Sequence, residues 1–156
     1  MSAVIEKAGS ADIPILVDLM AEFYAESNHA LDRKWAADSF AQLMQTPDRG
    51  AAWIARRSPQ AAGYVVLTMK HSMEFGGLDA FIDDLFVRPD SRRQGVATLL
   101  LNALFKECRE RDAFAVHVEV GHDNDAAGAL YQAFGLRSDG RKHLTAHLGR
   151  EPHEVR

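Results

Sequence analysis

A chain of 156 residues, 47% hydrophobic and 26% charged, suits one globular domain able to bury a core, and a single domain over 1-156 is expected. A net charge of -4 at pH 7 argues against a nucleic-acid binder whose affinity rests on phosphate neutralisation. One cysteine, Cys108, excludes an internal disulfide; with no signal-like apolar run in MSAVIEKAGS and no apolar stretch of membrane-spanning length, a soluble cytoplasmic protein is expected.

A short strand is predicted around Val4 to Lys7. Ser10 or Asp12 can cap the following helix, with Pro14 in its first turn, and Ile13, Leu16, Val17, Met20, Phe23 and Tyr24 follow helical spacing. The segment from Asn28 to Asp32 breaks it, and Trp35, Phe40, Leu43 and Met44 mark a second helix ending before Pro47. Glu22, Glu26, Asp32 and Asp38 on this pair read as a solvated face ahead of a cation site. Ala51 to Arg56 and Gly63 to Lys70 are two strands that pair antiparallel around Ser58-Pro59-Gln60. His71 to Gly77 is a loop whose apolar Met73 and Phe75 either line a pocket or cover the core.

The stretch from Phe81 to Arg111 organises the rest. It reads as a strand (Phe81 to Val87), a tight basic turn (Arg88 to Gly95) and an amphipathic helix from Val96. The first N–H groups of a helix have no intrahelical partner and the macrodipole adds positive charge there, so this turn suits an anion. Arg92 and Arg93 add full charges, while Gly95 and the small Ala97 let a pyrophosphate approach the main chain. Neither GxxxxGK[ST] nor GxGxxG is present, which leaves a P-loop or dinucleotide fold unsupported. Cys108 shares the apolar stripe of Ala97, Leu100, Leu101 and Leu104, so it reads as core filler and not as a nucleophile.

Ala113 to Val120 is the next strand, followed by a turn from Gly121 to Asp125 in which Asn124 or Asp125 caps a helix ending at Gly135. One more strand fits Leu136 to Gly140, Leu144 to Leu148 reads as the last strand, and a loose polar tail is expected beyond Gly149. The seven histidines are scattered and give no metal ligand set.

Arg92-Arg93-Gln94-Gly95-Val96-Ala97 matches R/Q-x-x-G-x-G/A, Asn124 to Tyr131 resembles N-x-x-A-x-x-L-Y, and Phe134-Gly135-Leu136 resembles a terminal G-F. Together, in this order, they resemble the GNAT family of N-acetyltransferases, nearest in pattern to its polyamine, diamine and aminoglycoside members. The resemblance implies an α/β (mixed) fold: a central, mostly antiparallel sheet of six to seven strands flanked by about four helices. Splayed central strands would hold acetyl-CoA, with a bulge as the usual cause of the splay. It further implies that main-chain groups of Leu85, Phe86 and Val87 hold the pantetheine arm. Arg92 and the N–H groups of Arg93, Gln94, Gly95, Val96, Ala97 and Thr98 would hold the pyrophosphate, with Asn124 and Tyr131 completing the donor site. Relatives of this kind are often homodimers, and a homodimer is expected.

The implied chemistry narrows the catalytic residues. An alkyl ammonium with a pKa of about 10.4 must lose a proton before it attacks a thioester, at roughly 4 to 5 kcal/mol at pH 7. Asp83 and Asp84 lie on the central strand, where alternation points them to opposite faces, so at most one faces the acceptor. By resemblance to polyamine acetyltransferases the choice is Asp83, with Glu119 acting through a water, or His117, as alternatives. An ordinary carboxylate is uphill from such an ammonium by roughly 9 kcal/mol, so a raised pKa or a water relay is required. Tyr131 matches the family tyrosine that gives a proton or a hydrogen bond to the departing sulfur. The expected function is direct acetyl transfer to a primary amine of a small cationic acceptor in a ternary complex. A protein or peptide N-acetyltransferase and a non-catalytic acetyl-CoA sensor are the alternatives.

Overall fold

Val4–Lys7 forms β1, and Gly50–Arg57 (β2) runs antiparallel beside it, Val4 opposite Arg56 and Lys7 opposite Trp53. The computed structural model describes residues 2–121 and 124–149. Within it, Gln60–Ser72 (β3) and Gly77–Val87 (β4) extend the antiparallel ladder, and Val116–Val118 (β5) lies parallel to β4 at the sheet edge. The sheet order is β1-β2-β3-β4-β5.

The period-2 pattern of β2 and β3 sorts side chains between two cores. Trp53, Ala55, Val65 and Leu67 face one way, onto the Val96–Glu110 helix (α3) and its Leu100, Leu101, Leu104 and Cys108. Tyr131, on the Asp125–Ala133 helix (α4), joins the same core. Ala52, Ile54, Tyr64 and Val66 face the other way, onto Leu16, Val17, Leu19 and Met20 of the Ile13–Ala25 helix (α1) and Ala36 and Phe40 of the Arg33–Gln45 helix (α2). Helices thus cover both faces, and the described residues form four α-helices in the mixed α/β architecture that the resemblance implies. Asp32 caps α2 by accepting from Trp35 N–H at 3.0 Å. Asp12 stands at the N-cap of α1, but its carboxylate accepts from Gly9 N–H and pairs with Arg56.

Several boundaries differ from expectation. The described residues form five strands where six to seven were expected: residues 136–149 form none, so neither Leu136 to Gly140 nor Leu144 to Leu148 is a strand. Leu144 and Leu148 lie exposed and pair with no strand, and alternation alone does not make a strand without a ladder to join. The strand expected from Ala113 to Val120 is regular only over Val116–Val118, although Phe114 N–H donates to Leu78 O at 2.9 Å and Ala80 N–H to Ala115 O at 3.0 Å just before it. The loop expected from His71 to Gly77 is mostly hairpin, because β3 runs to Ser72 and β4 starts at Gly77, before Phe81. Met73 and Phe75 therefore sit on a turn. Met73 is exposed, while Phe75 stacks on Phe114 at 6.3 Å and neither covers the core. The loose tail expected beyond Gly149 lies outside the described residues.

Cys108 is buried in the α3 core, and burial pushes its thiol up to about 11. Thiol reagents at neutral pH are expected to leave the native protein unmodified and to label one site once it is denatured. Full labelling before unfolding would contradict this packing.

Candidate active site

The sheet opens beside a bulge in β4. Val66 pairs with Asp84 and Leu67 with Ile82, so Asp83 is the extra residue on β4. β5 pairs with Ala80, Phe81 and Ile82 and ends at Val118, level with that bulge. Beyond Ile82, β4 runs on to Val87 with β3 on one side only.

The bulge also shifts the phase of the side chains. Ala80 and Ile82 face the α3 core, which puts Asp79, Phe81 and Asp83 on the α1/α2 side by alternation. After the bulge, Phe86 lies in the α1/α2 core, which puts Asp84 on that side too. Asp83 and Asp84 therefore share one face, and the expectation of opposite faces is corrected. Strict alternation does not survive an inserted residue.

The two carboxylates differ in setting. Asp83 is exposed, and its carboxyl is raised by partial desolvation and by the nearby charge of Glu119. Asp84 accepts a hydrogen bond of 3.0 Å from the hydroxyl of fully buried Tyr64. Burial first, and then repulsion from Asp83, push the Asp84 carboxyl up to about 6, against the lowering pull of the Tyr64 bond. Neither Asp84 nor Tyr64 was singled out from the sequence. Neighbouring carboxylates give a hint, but the bulge that unites them carries no Gly or Pro to mark it.

The alternative bases are engaged elsewhere. His117 Nε2 lies 2.7 Å from Oδ1 of buried Asp79, and its ring stacks on Phe81 at 4.9 Å, tying β5 to β4. Glu119 is exposed, 3.3 Å from His143 Nδ1. On the helical pair, Glu22 pairs with Arg88 and Glu26 with Arg92, both across to the basic turn, while Asp38 pairs with Lys34 on its own helix.

The open edge and the turn beyond it form one continuous surface. Arg88 N–H donates to Ala62 O at 2.8 Å, so alternation turns the main-chain groups of Phe86 toward β3 and those of Leu85 and Val87 outward. The expectation of three consecutive main-chain contacts narrows to Leu85 and Val87, because Phe86 is committed to the ladder. Val87 O accepts from Arg92 Nε at 2.8 Å. Arg92 also pairs with Glu26 and lies 5.8 Å over the Phe86 ring, so its charge is partly neutralised in the turn. Arg93, at φ 61, makes no ion pair with a described residue. Gln94 braces the turn through Asp90 O and Arg57. Gly95 adopts φ 79 at the head of α3, and a Cβ there would meet no heavy atom within 4 Å. The first bond of α3 runs from Leu99 N–H to Gly95 O at 3.1 Å, which leaves the N–H groups of Val96, Ala97 and Thr98 without intrahelical acceptors. Asn124 caps α4 by accepting from Ala127 N–H at 3.1 Å. Tyr131 is buried, and desolvation raises its phenol, so it stays protonated and able to donate at neutral pH. Two clefts, of about 390 and 520 Å³, flank the β2–β3 hairpin on the other side of the turn. Neither cleft is lined by a residue of β4 or β5; where β5 ends, the bare edge of β4 borders a trough.

The sequence profile of the acetyltransferase (GNAT) family matches residues 14–136, which span the helical pair, the bulged strand, the turn and α4. The chain belongs to this family. GNAT enzymes use acetyl-CoA, and the residues here fit it: a bare strand edge for an amide-rich arm, and free N–H groups under open space for a pyrophosphate. This GNAT domain thus carries a strand edge and a turn that fit acetyl-CoA. A solved integron cassette protein from the mobile metagenome of Cole Harbour Salt Marsh is 35% identical, with a TM-score of 0.86 over 94% of this chain and 91% of that one. The putative [ribosomal protein bS18]-alanine N-acetyltransferase of Bacillus subtilis (strain 168) is 27% identical over 68% of this chain and 66% of that protein. The Homo sapiens cysteine-rich protein 2-binding protein is 27% identical over 81% of this chain, which spans only 14% of that relative. Among the described residues of this GNAT domain, no helix is long and apolar enough to cross a membrane. Nor does any cluster of three or more His, Cys, Asp or Glu there suit a metal ion.

Proposed function

We propose that this GNAT enzyme transfers acetyl directly from acetyl-CoA to a primary amine of a small cationic acceptor, of the polyamine, diamine or aminoglycoside kind, in a ternary complex. The observation that carries the reading is the pair Asp83 and Asp84 on one face, at the mouth of the splay, with Glu119 close enough to act on Asp83. Three carboxylates without a lysine or arginine among them favour an ammonium.

In this reading, acetyl-CoA supplies an activated thioester carbonyl. Main-chain groups of Leu85 and Val87 align the pantetheine arm, and the N–H groups from Arg93 to Thr98 take the pyrophosphate with the charge of Arg93. Arg92, Gln94 and Asn124 act by holding the turn and the start of α4 in shape. Asp83 faces the acceptor as the candidate base, as the resemblance implies. Tyr131 donates to the departing sulfur. Placing both reactants together supplies much of the rate, so no acyl-enzyme is needed, and buried Cys108 is unsuited to form one. A cytoplasmic homodimer is the setting this reading assumes.

A second reading, acetylation of a peptide N-terminus, is favoured by the Bacillus subtilis relative and by the open trough. Loss of thioester absorbance from acetyl-CoA separates the two across polyamines, diamines, aminoglycosides, a lysine peptide and an alanine-initiated peptide. Turnover of a polyamine or aminoglycoside with intersecting double-reciprocal lines is the expected result. Turnover of the alanine peptide alone would replace the first reading with the second. Silence throughout, with tight acetyl-CoA binding by calorimetry, would point to a sensor.

A further inference from the structure

We propose that Asp84, held by the Tyr64 hydroxyl, takes the proton of the acceptor ammonium, while Asp83 holds the charge of that ammonium at the mouth of the trough. This rests on the amine-acetylating reading and divides its labour between the two carboxylates.

The geometry carries the division. Tyr64 is fully buried on β3, and its hydroxyl reaches Asp84 Oδ2 at 3.0 Å. One oxygen of Asp84 is thereby fixed, and a carboxylate keeps another to accept a proton. Asp83, as the bulged residue, has no partner opposite it on β3 and is exposed. A group that must receive a charged ligand from water belongs outside, and one that must take a proton near neutral pH belongs where desolvation has raised it. Asp84 meets that condition with its carboxyl pushed up to about 6 by burial and by Asp83.

The charged and titratable surroundings of Asp84 are few. Asp83 lies beside it on β4, Tyr64 faces it from β3, and Tyr24 of α1 acts on Tyr64. From just beyond β5, Glu119 acts on Asp83. Arg88, near the end of β4, is paired with Glu22. Asp83 and Tyr64 therefore tune Asp84 in opposite directions. The negative charge of Asp83 favours its protonated form, and the Tyr64 donor favours its carboxylate.

The step balances. The ammonium gives one proton to Asp84, and the freed lone pair forms the C–N bond at the acetyl carbonyl while the C–S bond breaks toward sulfur. The nitrogen then gives its second proton to water, the sulfur takes the Tyr131 proton, Tyr131 is reprotonated from water, and Asp84 returns its own to water. One proton is released per turnover.

Tyr64 is thus a positioning residue, and the pH profile of kcat/KM distinguishes this from a packing role. Tyr64→Phe, which keeps the ring, is expected to move the acid limb to higher pH by about one unit with little change in KM. Asp83→Asn is expected to move it to lower pH by a similar shift and to raise KM for the cationic acceptor several-fold. Titration of carbon-13-labelled aspartates by NMR, with the Asp84 signal assigned by its loss in Asp84→Asn, should give the same opposite shifts without any turnover. If wild type acetylates no amine, the amine reading fails, and the NMR shifts still decide the coupling. If folded Tyr64→Phe and Asp83→Asn leave both limb and NMR titration unmoved, or Asp84→Asn retains most of kcat, the inference is overturned.

Discussion

Asp84→Asn is expected to lower kcat by about 10²- to 10³-fold, the range a positioned proton acceptor supplies, and to make the folded protein more stable at pH 8. Both effects come from one displacement. An ordinary aspartate has a pKa of about 3.9, whereas burial holds Asp84 at about 6. The native state therefore binds this proton more tightly than the unfolded chain does. The stability that results is fully present below pH 4, falls as pH rises toward 6, and stays lost above it. Two units correspond to about 3 kcal/mol, an upper limit because Asp84 is only partly shielded from solvent. Asn keeps an oxygen for the Tyr64 hydroxyl and carries no charge, so the gain should appear at pH 8 and vanish near pH 4 in urea unfolding curves. The same displacement serves the reaction. Proton transfer from an ammonium of pKa about 10.4 is uphill by about 6 kcal/mol to a carboxylate at 6, against about 9 to an ordinary one. Asp84 would then be a site where the fold gives up stability for chemistry. Equal stability of Asn and Asp forms at both pH values would remove that argument.

The parts of this architecture that local rules govern were legible in the sequence. Leu16, Val17 and Met20 at helical spacing gave α1, Pro47 set the limit of α2, and the strand–turn–helix from Phe81 to Arg111 was recognisable because a glycine, a basic turn and an amphipathic stripe each mark it. Pairing was not legible. Leu144, Ala146 and Leu148 alternate as a strand would, yet a strand exists only where an edge accepts it, and residues 136–149 join none. The site suffered from the same limit. Asp83 and Asp84 were placed on opposite faces by a period of two, and the register with Val66 and Leu67 inserts a residue at that point. Tyr64 lies 20 positions from Asp84 in the chain and meets it only because β3 and β4 are paired. Arg92 reads as a phosphate ligand from its place in the basic turn and from the family motif, and neither shows that Glu26, far away in the chain, shares its charge.

Gly95→Ala is expected to separate folding from donor binding. At φ 79 a Cβ costs about 1 kcal/mol, which for a domain of this size lowers the unfolding midpoint by about 2 to 4 °C. Nothing in the folded chain adds to that cost, since a Cβ at this position has no heavy atom within 4 Å. The same open space is the approach to the N–H groups of Val96, Ala97 and Thr98, whose charge and dipole act only on an anion in close contact. An added methyl group should therefore keep the pyrophosphate at a distance and weaken acetyl-CoA at least tenfold, about 1.4 kcal/mol or more. Gly95→Asn tests the two contributions apart. Asn tolerates the left-handed conformation better than Ala, so stability should partly recover while donor affinity stays low. Calorimetric titration with acetyl-CoA, beside thermal unfolding of the free protein, reads both quantities. An unchanged dissociation constant in Gly95→Ala would mean that the pyrophosphate does not lie over Gly95, and the donor site would have to be moved off the start of α3.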